Sequence, residues 1–217
     1  MKTIFSTRRE ILGFGLATLG VFATGGALTG VAEAKADDKA QQIADHFSQI
    51  QTMTGEFVQF GPKGEQTGGK FFIQRPGKIR FNYEGKTGFR VVADGRSVLI
   101  ANQQMKTSEI YPLNKTPLKL LLDDRIDLSG NKVKSFKEEG DLTTIQLADK
   151  SVFGNAKLTM MFDPNSYELR QWTITDAQGK DTTVMIFNVQ QDVKLDSKIF
   201  HIDYVSAKKG KSDSEMR

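Results

Sequence analysis

The chain has 217 residues, of which 38% are hydrophobic and 26% charged, and its formal net charge is +4. These values exclude a wholly disordered chain and a protein with many membrane spans, and the length allows one domain or two small ones. Cysteine is absent, which excludes disulfides, thiolate metal sites and cysteine nucleophiles, and the small, interspersed charge gives no indication of nucleic acid binding.

A cleaved export signal is predicted over residues 1–34. The pair Arg8-Arg9 directly precedes an uncharged run over residues 11–32, and small residues at its end offer a cleavage site after Ala34 or two residues later. This pattern is typical of the twin-arginine route and indicates a periplasmic protein that folds before export. The alternative is an uncleaved transmembrane helix, because the uncharged run is long enough to span a bilayer.

Two helices are predicted in the remaining chain. Asp38 and Gln41 have the spacing of a capping box, and one amphipathic helix is expected from about residue 38 to residue 51. A second, short helix is expected with Thr116 as its N-cap and Pro117 at its first helical position. The apolar stripe of the first helix consists of Ala40, Ile43, Ala44, Phe47 and Ile50.

The chain that follows the first helix alternates with a period of two, which predicts strands. Turn pairs such as Pro76-Gly77, Asp94-Gly95 and Gln178-Gly179 separate about ten short apolar runs. Asp94-Gly95 predicts a type I′ hairpin, which requires positive φ at both central residues. No helical pattern lies between successive strands after residue 125, so a parallel βαβ sheet is excluded and one antiparallel sheet is favoured.

Several strands are apolar on both faces, for example Phe71-Phe72-Ile73 and the segment from Val184 to Phe187. Something must therefore cover the second face of the sheet. Two helices are too small to cover about ten strands, so either the sheet curls on itself or an apolar surface remains for a ligand. The pattern alone leaves open a fully packed half-barrel and a half-barrel with a binding cavity.

No catalytic or metal-binding constellation is found. His46 and His201 have no Asp, Glu or His at metal-ligand spacing, and no serine lies in a Gly-x-Ser-x-Gly setting. The adjacent carboxylates at 123–124 and 138–139 are typical of solvated turns. The sequence therefore predicts a protein that is not an enzyme and uses neither a metal nor a cofactor.

A set of short motifs carries a resemblance to a known family. After the first helix come Gly-Glu-Phe-Val-Gln at 55–59, GKFFIQRPGKIRF at 69–81, VADGR at 92–96 and TPLKLL at 116–121. Together these resemble the outer-membrane lipoprotein carrier family, the periplasmic LolA type, over essentially the whole mature chain. The resemblance implies a mainly β fold with α (α+β): a single curved antiparallel sheet that forms an unclosed β-barrel of about eleven strands, covered by short helices as a lid.

The predicted domain organisation follows from this fold. The barrel domain is expected over residues 35–205, and the polar, lysine-containing segment 206–217 is expected to be a disordered tail. The outer-membrane receptor of the same pathway shares the fold but needs an N-terminal cysteine, which this chain lacks. The soluble carrier is therefore favoured over the receptor.

The resemblance implies a periplasmic carrier that shields the acyl chains of lipoproteins. Its expected partners are acylated lipoproteins as cargo, an inner-membrane ABC-type exporter and an outer-membrane receptor, and the carrier is expected to be a monomer. Three acyl chains carry on the order of forty methylenes, and at about 0.8 kcal/mol each their exposure to water costs tens of kcal/mol. The alternatives are a periplasmic interaction module or envelope sensor without lipid cargo and, less favoured, a hydrolase.

The resemblance also implies site residues. Arg75 matches the family arginine that holds the lid closed through hydrogen bonds to backbone carbonyls of the lid helices, and its loss is expected to trap cargo. Which face of each strand is concave is not determined by the pattern. The lid-side candidates are Ile43, Phe47, Ile50, Leu118, Leu121 and Leu122. Their expected partners on the sheet are Phe57, Phe71, Ile79, Phe81, Val91, Met160 and Phe187.

Overall fold

The computed structural model describes residues 29–128, 132–148, 150 and 154–208. Within them lie three short or medium α-helices, two 3-10 turns and eleven strands. In chain order the elements are α1 (Thr29–Gln49), β1 (Thr52–Phe60), β2 (Gln66–Gln74), β3 (Lys78–Tyr83), β4 (Arg90–Asp94), β5 (Ser97–Asn102), β6 (Thr107–Pro112), a 3-10 turn (Leu113–Lys115), α2 (Leu118–Leu122), β7 (Val133–Glu139), β8 (Leu142–Leu147), β9 (Lys157–Phe162), β10 (Leu169–Thr175), β11 (Asp181–Gln191), a second 3-10 turn (Ser197–Phe200) and α3 (Tyr204–Lys208).

All eleven strands belong to one antiparallel sheet. Their order is β6-β5-β4-β3-β2-β1-β11-β10-β9-β8-β7, so the first and last strands of the chain pair at the centre. No pairing joins the edge strands β6 and β7 in the described part of the chain, so the barrel is not closed. The predicted unclosed antiparallel barrel is confirmed.

The connection between β6 and β7 positions the second helix. These two strands follow one another in the chain but lie at opposite edges of the sheet. The linking segment, residues 113–132, must therefore cross from one edge to the other, and α2 lies within it. The described part of this segment, residues 113–128, and α1 cover the concave face.

The main core lies between α1 and the concave face. The predicted apolar stripe is confirmed: Ala40, Ile43, Ala44 and Phe47 of α1 are buried, and so is Ile50, which directly follows the helix. Inward residues of the sheet alternate with outward ones, as the pleat of a strand requires. The buried sheet residues that meet the helices include Met53, Phe57, Phe71, Ile73, Ile79, Ile145, Leu158, Met160, Phe162 and Trp172.

The helix α1 begins earlier than predicted. It starts at Thr29 rather than near Asp38, and it ends at Gln49. The Gln41 side chain donates to Asp45 Oδ1 and to the carbonyl of Ile126, so it serves packing across the core rather than a capping box. Residues 1–28 of the predicted export signal lie outside the described residues. Among the described helices, none has the length and apolar character needed to cross a bilayer.

Two predicted details of turn chemistry are wrong. Thr116 does not cap α2: its hydroxyl donates to the carbonyl of Leu113, and the helix begins at Leu118. The β4–β5 turn is centred on Gly95-Arg96, one residue later than predicted, and of these two only Gly95 has positive φ. The reason is Asp94, whose Oδ1 accepts from the backbone N–H groups of Arg96 and Ser97 and stabilises the shifted turn.

The C-terminal segment covers part of the convex face. Ile202 and Ala207 pack with residues of β4 and β5, and the Tyr204 hydroxyl donates to Asp94 Oδ2. The prediction that the tail is disordered from Ser206 is wrong at its start, because Ser206 and Ala207 are buried and the Ser108 hydroxyl donates to the Ala207 carbonyl. Residues 209–217 of that predicted tail lie outside the described residues.

Candidate ligand cavity and its lid

A cavity of about 270 Å³ lies on the concave side of the sheet. Phe81, Tyr83, Phe89 and Trp172 supply its aromatic surface. Eight of its eleven lining residues are partly exposed, so the cavity opens to solvent. Its aliphatic lining comes from Val91, Ile100, Leu118, Ile174 and Val184, and its polar lining from Gln59 and Thr182.

The aromatic wall is a connected set of rings. Tyr83 packs edge-on against Phe89 with ring centroids 4.7 Å apart and against Phe57 at 5.0 Å. Phe57 in turn packs edge-on against Phe81 at 4.9 Å, and Phe81 lies 6.1 Å from Trp172. Such geometries are favourable for aromatic pairs, so the wall has a defined shape. It presents a surface suited to hydrocarbon.

The volume of the cavity limits what it holds in this state. Pockets for drug-sized ligands span about 300–1,000 Å³, and this cavity lies just below that range. A guest of several long hydrocarbon chains therefore requires the helices above the sheet to move.

The helix α2 covers one side of the cavity with a small apolar surface. Leu118 lines the cavity, while Leu120, Leu121 and Leu122 are buried against the core. Complete burial of a leucine contributes about 1.5–3 kcal/mol. A guest that buries more methylenes than these leucines is therefore able to displace this helix.

The segment that follows α2 is fastened to α1. The Ser48 hydroxyl accepts from the Ile126 N–H at 3.0 Å, and Gln41 bonds both Ile126 and Leu128. The ion pair between Asp45 and Arg125 lies at the surface, where solvent screens it, and contributes little. We call α1, α2 and residues 123–128 together the cover, because these contacts join them into one unit.

Arg75 connects the cover to the sheet. Its guanidinium donates to the carbonyl of Ile50 at 2.8 Å and to the carbonyl of Leu121 at 3.0 Å. These carbonyls lie just beyond α1 and near the end of α2, where helix carbonyls lack partners within the helix. The backbone of the same turn adds a bond from the Gly77 N–H to the Leu122 carbonyl at 2.8 Å. These are the contacts that the resemblance implies for Arg75; its latch function stays a prediction.

The position of Arg75 is electrostatically costly. The side chain is only 5% exposed and its carbon Cζ lies 4.2 Å from the centre of the Phe47 ring. Burial lowers the pKa of Arg75 to about 10, partly offset by Asp124. The group remains protonated at neutral pH, so closing the cover desolvates a charge, a cost that the hydrogen bonds and the aromatic contact offset.

The predicted acyl-binding residues fall into three groups. Phe81, Val91 and Leu118 line the cavity. Phe187 lies on the other face of the sheet and is 42% exposed, because its neighbour Ile186 is the residue that enters the core. Its predicted place in the cavity is therefore wrong. The remaining nine are buried in the core beside the cavity: Ile43, Phe47, Ile50, Phe57, Phe71, Ile79, Leu121, Leu122 and Met160.

Several cavity residues were missed by the sequence analysis. Ile100 pairs with Val91, which pairs with Phe81, so the correct hairpin register alone identifies it. Trp172 is the single tryptophan of the chain, and its position between polar neighbours on a strand indicated burial. Tyr83 and Phe89 flank a glycine-rich loop and gave no comparable signal.

No cluster of metal-ligating side chains accompanies the cavity in the described ranges. Within them, no three His, Asp or Glu side chains come close enough together to bind a metal ion. The lining carries no charged side chain. The apolar, uncharged cavity therefore shields an apolar guest from water.

Comparison with known proteins identifies the family of the chain. The family described as outer membrane lipoprotein carrier protein LolA matches residues 48–203, which is more than half of the chain. The chain belongs to this family. Members of the LolA family are periplasmic lipoprotein carriers, and the motifs around Arg75 and Gly77 lie within the matched region.

Individual relatives are distant but extend over most of the chain. The chain is 24% identical over 180 residues to the outer-membrane lipoprotein carrier protein of Azotobacter vinelandii, with 77% of this chain and 85% of that protein covered. It is 25% identical over 191 residues to the carrier protein of Chromobacterium violaceum, with 84% and 89% covered. Among solved structures, a LolA superfamily protein from Nitrosomonas europaea is similar with a TM-score of 0.42; the sequences are 10% identical, and the match covers 76% of this chain and 98% of that one.

Proposed function

We propose that this LolA family member carries lipoproteins across the periplasm by enclosing their acyl chains between the sheet and the cover. The observation that carries the proposal is an apolar cavity beneath a helix that Arg75 fastens to the sheet. The partners proposed with it are an inner-membrane ABC-type exporter and an outer-membrane receptor. Neither partner requires the carrier to perform bond chemistry.

The balance of energies supports reversible loading. Acyl chains gain far more from burial than the leucines of α2 lose on displacement, so loading is favourable. The desolvation of Arg75 subtracts part of the stability that its hydrogen bonds give the closed state. Release in a compartment without ATP then depends on a receptor with a better apolar site and on the return of the cover to the sheet.

A direct binding measurement tests the proposal. We expect a synthetic triacylated lipopeptide to bind at one molecule per chain and to shift the emission of Trp172, the single tryptophan, which lines the cavity. Native mass spectrometry of protein extracted gently from cells should show bound acylated peptide. The same peptide without acyl chains is the control. A chain that binds neither lipopeptide nor any acylated species would contradict the proposal.

We also propose that residues 1–34 are a twin-arginine signal, supported by Arg8-Arg9 and the uncharged run that follows. Replacement of both arginines by lysine is expected to leave the uncleaved precursor in the cytoplasm. Cell fractionation with detection of the C-terminal part measures this. Undiminished arrival of the Arg8→Lys, Arg9→Lys chain in the periplasm would show that another route is used.

A further inference from the structure

The cavity has a polar group at one end of its apolar surface. The Tyr83 hydroxyl donates to Gln59 Oε1 at 2.6 Å, and both residues line the cavity together with Thr182. Burial raises the pKa of Tyr83, so its hydroxyl stays neutral and holds its proton for this bond. The bond fixes the orientation of the Gln59 amide.

The fixed amide has unused donors. With Oε1 occupied by Tyr83, the two N–H groups of Gln59 Nε2 have no hydrogen-bond partner among residues 29–128, 132–148, 150 and 154–208, and the same holds for the Thr182 hydroxyl. Gln59 pairs with Val184 across β1 and β11, and Thr182 lies two residues from Val184 on the same face. Two donor groups thus face the same end of an otherwise apolar cavity.

We infer that Gln59, oriented by Tyr83, binds the ester or amide carbonyl of a lipoprotein acyl chain whose hydrocarbon part lies on Phe81 and Trp172. This rests on the proposed carrier function and adds a recognition element to it. A carbonyl oxygen accepts from Nε2, which has donors to spare. A free carboxylate fits poorly, because the lining has no cation to compensate the desolvated charge.

The test compares carbonyl-containing and carbonyl-free ligands in two variants. Displacement of the dye N-phenyl-1-naphthylamine measures binding of methyl decanoate, 1-chlorodecane and sodium decanoate. Gln59→Leu should weaken the binding of methyl decanoate about three- to tenfold, which is the contribution of one hydrogen bond. The same variant should bind 1-chlorodecane, decanoate and the dye as tightly as the wild-type chain or more tightly. Gln171→Leu, on the convex strand face beside Met161 and Met185, is the matched control and should change nothing.

Two lipids distinguish whether the bound carbonyl belongs to a lipoprotein or to a phospholipid. Gln59→Leu should weaken the binding of a triacylated lipopeptide, and Tyr83→Phe should weaken it less, since Tyr83 only positions the amide. If Gln59→Leu weakened the binding of phosphatidylglycerol and left the binding of the lipopeptide unchanged, the assignment to lipoproteins would be overturned. Equal binding of methyl decanoate by the wild-type chain and by Gln59→Leu would overturn this inference but not the carrier function. Failure of the wild-type chain to bind dye and lipopeptide would instead contradict the carrier function.

Discussion

Arg75→Leu is expected to fold and to load cargo, but to hand it over at least about tenfold more slowly than the wild-type chain. The substitution removes the hydrogen bonds to the carbonyls of Ile50 and Leu121. Hydrogen bonds to a charged group contribute about 1.5–3 kcal/mol each, before the relief of desolvation is subtracted. Because release returns the protein to the closed state, a less stable closed state makes release less favourable.

Transfer of a labelled lipopeptide from the carrier to the purified receptor measures this effect, with thermal unfolding as the check on folding. Arg80→Leu is the matched control: it removes a guanidinium bond to the Ile199 carbonyl on the convex face, away from the cover. Arg75→Lys keeps the charge but reaches fewer carbonyls and should transfer at an intermediate rate. A wild-type transfer rate in folded Arg75→Leu would refute the latch.

Trp172→Ala is expected to destabilise the unloaded protein by about 3–5 kcal/mol, the usual cost of truncating a large buried aromatic residue. Trp172 is 1% exposed and contacts Phe81 in the cavity wall. In a chain of this size the change lowers the melting temperature by on the order of 10 °C. Urea unfolding followed by circular dichroism measures it.

The same substitution enlarges the cavity, so ligands should recover part of the lost stability. A ligand that binds only the folded state stabilises it in proportion to the logarithm of its concentration over its dissociation constant. We therefore expect the lipopeptide to raise the melting temperature of Trp172→Ala. Met185→Ala, on the exposed convex face, should change stability by about 0.5 kcal/mol or less. Equal effects of the two substitutions would contradict the described core.

The sequence predicted the sheet and the helix stripe because both depend on local periodicity. The period of two, the turn pairs and the absence of later helices led to one antiparallel sheet, and the family motifs led to its unclosed form. The spacing of Ala40, Ile43, Ala44, Phe47 and Ile50 is enough to predict the buried face of α1, since helix geometry leaves one choice.

The cavity was predicted less completely because it depends on pairing between distant strands. In β11 the residues Val184 to Phe187 are all apolar, so their composition does not select a face. Pairing does: Ile186 lies opposite Phe57, whereas Phe187 lies opposite Glu56. A register shift between Thr54 and Glu56 changes which residues align there, and nothing in the local pattern indicated it.

The C-terminal segment was mispredicted for another reason. It lies in a polar stretch whose structure depends on tertiary contacts. Ser206 and Ala207 are ordered because the convex face of β4 and β5 offers Val92 and Leu99 as apolar partners. In the sequence, Val92 and Leu99 are ordinary apolar strand residues. They indicate that something packs on the convex face, but they do not indicate which segment does so.

The placement of α2 between the two edge strands has a mechanical consequence. Since β6 and β7 are the rims of the sheet and residues 113–132 join them, a helix that lifts away must draw on both rims at once. We therefore expect widening of the sheet and displacement of the helix to occur together. The same movement would then enlarge the cavity and open an entrance to it for a larger guest, without a separate hinge.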